Sequence, residues 1–141
     1  MAEEKQDKEE EANRLLYLQN VYNQQYEALM NELTTFSMAQ AALKRNIQLL
    51  ENKDRVKGSN ILVNAEGGTY IEANVKELGK IMIYVGAGYL VEKDVQQAKE
   101  FQNKNLEMGD TQMKKLVETR QKLENELMKI HYQVESLQEQ S

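Results

Sequence analysis

The stretch Lys80–Glu92, KIMIYVGAGYLVE, decides the fold. Ile81, Ile83 and Val85 alternate with Met82 and Tyr84, a period of two that suits a strand, and Gly86-Ala87-Gly88 can turn or bulge the chain into YLVEK. Toward the N-terminus, Ile61, Val63 and Ala65 alternate with polar positions up to Gly67-Gly68. That pair readily takes the positive φ angles of a two-residue hairpin turn, after which Ile71, Ala73 and Val75 alternate again. Residues 58–92 therefore predict two β-hairpins.

On both sides the period becomes helical. From about Glu10 to Lys53 there is neither Gly nor Pro, and Leu15, Tyr22, Leu29, Phe36, Leu43 and Leu50 recur every seven residues. A companion series runs through Leu18, Tyr26, Leu33, Ala39 and Ile47, with polar Gln25, Glu32 and Gln40 interrupting it. A helix of this span extends on the order of 65 Å at a rise of about 1.5 Å per residue. Residues 94–139 repeat the pattern, with Leu116, Leu123, Ile130 and Leu137 in one series and Leu106, Met113, Leu127 and Val134 in the other, where Arg120 is the odd member. Asp94 followed three residues later by Gln97 is a capping box that marks the helix start. Gly109 falls on the seam, where it costs about 1 kcal/mol of helix propensity relative to Ala and reads as a packing or bending point.

Composition agrees. The 141 residues carry a net charge of −5, with 29% charged residues, two Phe and no Pro, Trp or Cys. A mean hydropathy of −0.73 favours long helices that bury a narrow seam over a wide globular core. The predicted fold class is mainly α with a small β part: a long antiparallel two-helix coiled coil joined by two β-hairpins. One domain spans 1–141, with an acidic mobile tail over 1–9, a coiled-coil helix over 10–53, the hairpins over 58–92 and a second coiled-coil helix over 94–139.

Two short hairpins are not stable alone, because their edges leave N–H and C=O groups unpaired. Two arrangements meet this need. The expected one is that several copies or paralogues join their hairpins into a closed intersubunit β-barrel, because the strand faces carry more apolar side chains than four short strands can bury by themselves; the alternative is one coiled coil that carries a small private sheet or dimerises through its helices.

The search for reactive chemistry excludes more than it finds. Interleaved charges and a negative balance argue against nucleic acid, and no apolar run is long enough for a membrane span, so a soluble, cytoplasmic chain is expected. His131 is the only histidine, on the outer flank of its helix, and without Cys it makes no metal site. Gly86-x-Gly88 is too short for a dinucleotide fingerprint, and no cofactor is implied. Ser37, Ser59, Ser136 and Ser141 have no general base to activate them, so no enzyme activity is expected. What remains is surface: Leu16, Tyr17, Val21 and Tyr132 lie off the helical stripe near the free helix ends. They either pack against each other or a neighbouring copy, or they form a hydrophobic grip for another chain.

Helix, two hairpins and helix, with VGAGYLVEKDVQQAKEF after the third strand, resembles the α-type subunits of prefoldin over nearly the whole chain. The VG-x-G-Y-x-VEK segment and the A-x-x-F helix start are the most specific part, and two hairpins, where one would suggest the β type, point to the α type; an archaeal-type α subunit, related to the eukaryotic α class, is expected. Asn64 stands where relatives usually place Pro. The resemblance implies a hexamer with β subunits, two α and four β, built on a double β-barrel with coiled-coil arms. It implies an ATP-independent chaperone that holds non-native polypeptides at the arm tips and delivers them to a group II chaperonin. By position, client binding falls on Leu15, Leu18, Val21, Tyr22, Ile130, Val134 and Leu137, and the oligomer interface on Ile61, Val63, Ile71, Ile81, Ile83 and Val85. The alternative is a structural tether or assembly factor whose coiled coil binds one defined partner.

Overall fold

The computed structural model describes residues 1–139, so Ser141 lies outside the described residues. Helix α1 spans Ala2–Glu51 and a single turn, α2, Lys53–Val56; strands β1 Asn60–Asn64, β2 Tyr70–Asn74, β3 Ile81–Gly86 and β4 Tyr89–Lys93 follow, and α3 spans Val95–Glu139. Two compact units divide the chain: Met1–Met38 with the part of α3 from Thr111 onward, and Ala39–Asp110.

In the first unit the helices run antiparallel, since the Tyr26 hydroxyl donates to Glu124 Oε1 at 3.1 Å while Ala12 and Leu16 share a groove with Val134 and Leu137. That bond to a carboxylate raises the Tyr26 pKa above its ordinary value. Leu15, Leu29, Leu33 and Ile130 are buried along the seam. Helix α1 begins at Ala2, within the acidic segment set apart as a tail. Residues 1–10 are all exposed, so local propensity sustains this helix: the segment is made of Glu, Lys, Gln, Asp, Ala and Met, with no Gly or Pro.

In the second unit, Leu50, Ile83 and Ala98 form a buried cluster, with Ile81, Val95 and Phe101 packed against it. The capping box is present at the start of α3: the Gln97 N–H donates to Asp94 Oδ1 at 2.7 Å, and the Asp94 N–H donates to Gln97 Oε1 at 3.3 Å. Asp94→Ala is expected to lower stability by about 1 kcal/mol, measured by urea unfolding, because the amides of the first helical turn lose their acceptor.

The seam departs from the sequence pattern at one place. Ala39 is exposed and Gln40 is buried, so the companion series runs Tyr26, Leu33, Gln40, Ile47 at even seven-residue spacing. A polar side chain reads as an interruption because burying an amide is unfavourable unless it is hydrogen-bonded. Here both amide protons find acceptors, at Leu106 O and Asp110 Oδ1.

Each hairpin is its own two-stranded antiparallel sheet, and neither joins the other. In the first, Ile61 faces Ala73 and Val63 faces Ile71. Its turn falls at the glycine pair but is one residue longer than a two-residue turn: the Ala65 N–H donates to Thr69 O, and Glu66, Gly67 and Gly68 between them have φ of +70°, +58° and +77°. Asn64 opens that turn by accepting a hydrogen bond from the Glu66 N–H at 2.9 Å. In the second hairpin the glycines do both things expected of them: the ladder shifts register between Tyr84 and Gly86, and Ala87-Gly88 makes the turn.

Candidate binding surfaces

The first hairpin contributes nothing to a core. Ile61, Val63 and Ile71 share one face and Leu62 and Tyr70 the other, and all five are exposed. The second hairpin is two-sided. Its inner face places Ile81 and Ile83 on the helices, and its outer face leaves Met82, Tyr84 and Leu90 in solvent. Apolar side chains on both faces of strands with free edges are a surface built for burial by other chains.

Of the residues assigned to assembly, Ile61, Val63, Ile71 and Val85 are exposed, Ile81 is half-buried, and Ile83 is 5% exposed within its own chain. Ile83 holds hairpin to helix through the buried cluster it forms with Leu50 and Ala98. The positions that sequence reasoning passed over are Leu62, Tyr70, Met82, Tyr84 and Leu90. For Met82 and Tyr84 the signal lay in the unbroken apolar run IMIYV, since a strand with one solvated face alternates and a strand covered on both does not.

At the open helix ends of the first unit, Leu15 and Ile130 are 1% and 4% exposed. They hold the helices together and offer little surface to a partner. Leu18, Val21, Tyr22, Val134 and Leu137 are half-buried along the same end. The large apolar side chains exposed here are Leu16, Tyr17, Met128 and Tyr132, with Tyr17 at 69%. A groove of about 320 Å³ opens beside them, walled by Ala12, Leu16, Val134 and Leu137 and rimmed by Lys8, Glu9 and Gln138. Nearby, hydrogen bonds from Arg14 hold the Glu11 carboxyl below its usual pKa.

His131 is exposed, with Nε2 3.1 Å from Glu135 Oε1, and no group of metal-binding side chains occurs among the described residues. No described helix is long and apolar enough to cross a membrane.

These features define a class: a chain of two long helices whose hairpins are left open for other chains to complete. A family model described as Prefoldin subunit matches residues 22–140. The chain belongs to the prefoldin family, a family of chaperone subunits. It is 28% identical over 134 residues to a prefoldin subunit alpha from Methanocorpusculum labreanum, covering 94% of this chain and 91% of that one. It is 33% identical over 129 residues to the alpha subunit of Methanococcus vannielii, covering 90% and 85%. Among solved structures it is similar in fold to a chain of filamentous PFD from Methanocaldococcus jannaschii, at a TM-score of 0.51 and 22% identity, covering 87% of this chain and 97% of that one.

Proposed function

We propose that this chain is the α-type subunit of a cytoplasmic, ATP-independent prefoldin hexamer, two α with four β. It acts as a single prefoldin-type domain, captures non-native polypeptides at the open helix ends and passes them to a group II chaperonin. It catalyses no reaction and uses no cofactor. The observation that carries this reading is the pairing of two open apolar hairpins, fit for assembly, with exposed Leu16, Tyr17, Met128 and Tyr132 at the open helix ends of the first unit.

Capture rests on the exposed residues and the groove walled in part by Val134 and Leu137, with Leu18, Val21 and Tyr22 half-buried along the same end; Leu15 and Ile130 maintain the helix pair. Each contact is weak, and several helix ends in one hexamer give the avidity that a single end lacks. The test is whether the chain, mixed with a β-type subunit, suppresses aggregation of several unrelated denatured proteins without ATP. Suppression of one client only would favour a dedicated tether.

Replacing Leu16, Tyr17 and Tyr132 together with Ser is expected to leave helicity and oligomer mass unchanged while reducing client capture severalfold, as read by light scattering. The same change at Leu15 and Ile130 would instead loosen the helix ends, because each is a buried aliphatic side chain.

A further inference from the structure

Gln40 is the buried polar side chain among the described residues, and Gly109 opposite it is buried too. The Gln40 Nε2 donates to Leu106 O and to Asp110 Oδ1, both at 3.0 Å. A Cβ placed on Gly109 would fall inside the Gln40 amide group, so only glycine leaves room for that amide. Both residues occupy seam positions, Gln40 with Leu33 and Ile47, Gly109 with Leu116 and Leu123.

Leu50 follows Gln40 by ten residues and Ala98 precedes Gly109 by eleven, so on antiparallel helices the two pairs belong to one alignment. Leu50 and Ala98 are the floor on which Ile83 of the second hairpin rests. We infer that the Gln40 amide and the Gly109 notch form a register lock, which holds α1 and α3 in the one alignment that presents Leu50 and Ala98 to the hairpin.

The physical need for such a lock comes from the heptads themselves. Apolar positions repeated every seven residues re-form most of their contacts if one helix slides by a heptad, so the aliphatic seam alone discriminates poorly between alignments. A slide would set Gln40 opposite Gln102 or Leu116 in place of Gly109. In either case a side chain would stand where Gly109 leaves its notch, so the amide could not seat against that turn, and a buried unpaired amide is disfavoured. A single buried polar residue on a coiled-coil seam fixes alignment in this way, through what it forbids.

The chain has no cysteine, so spin labels can be placed on Lys44→Cys and Lys104→Cys, which are exposed and lie in the same compact unit. In the full chain, pulsed electron paramagnetic resonance should give one narrow distance. Gln40→Leu, which fits any alignment, should add a second population displaced along the helices by about 10 Å, seven residues at about 1.5 Å each, with a thermal midpoint unchanged or higher. Gln40→Ala with Gly109→Ala removes the amide and fills the notch, and should do the same if the leucine variant does not fold. A single unchanged distance in the variant that folds would overturn the inference, whatever its midpoint; a lower midpoint with one distance would mean that Gln40 only stabilises.

Discussion

Val63→Lys combined with Ile71→Glu is expected to leave the isolated subunit folded and to abolish its assembly with other subunits. The two residues are cross-strand partners and both are exposed in the single chain. Opposite charges there can pair in water, contributing about 0.2–1 kcal/mol to the hairpin. Burial against another chain reverses the sign, since each ion then loses its hydration at a cost of several kcal/mol. A cost of that size weakens association by three or more orders of magnitude, at about 1.4 kcal/mol per factor of ten. Circular dichroism should match the unsubstituted chain, and native mass spectrometry with a β-type partner should show the free subunit. An intact oligomer mass would show that this face is not buried in the assembly.

Ile83→Ala should act at the other level. Ile83 packs between Leu50 and Ala98, so its truncation leaves a cavity and is expected to lower stability by about 2–4 kcal/mol before any partner is present. Urea unfolding of the isolated subunit measures this. Ile83→Asp should detach the second hairpin from the helices altogether, because an unpaired carboxylate would have to enter the cluster. A reduced oligomer mass in that variant would follow from a damaged subunit and would not locate the interface. Substitutions that do locate it are those on Val63, Ile71, Met82 and Leu90, which touch no core of their own chain.

Most of the architecture was legible because long helices and hairpins announce themselves locally. Heptad spacing, the Asp94–Gln97 box and the Gly67-Gly68 and Ala87-Gly88 turns involve residues close in the chain, and all four are present in the structure. The surfaces were less legible. Periodicity locates the apolar faces of β1 and β3, yet it does not say which face of β3 the chain's own helices cover: Ile81 and Ile83 lie against them, while Met82 and Tyr84 are exposed. At the helix ends the most regular apolar positions, Leu15 and Ile130, turned out to be the most buried. Regular spacing selects the seam, and exposed surface is found among the residues that break it.

The sequence by itself determined the order of the long helices and hairpins, the turn positions and, through the motifs of the second hairpin, the family to which the chain belongs, since propensity, capping and glycine conformation act over a few residues; the start of α1 at Ala2, ahead of the apolar repeat, escaped it. Only the tertiary structure decided that Gln40, and not Ala39, lies on the seam, that Gly109 is the notch that accommodates it, and that Ile83 faces inward. Those three facts depend on residues far apart in sequence, such as Gln40 and Asp110 or Leu50 and Ala98, meeting across two helices. A buried amide is tolerated only where such distant partners supply its hydrogen bonds, and no local pattern records them.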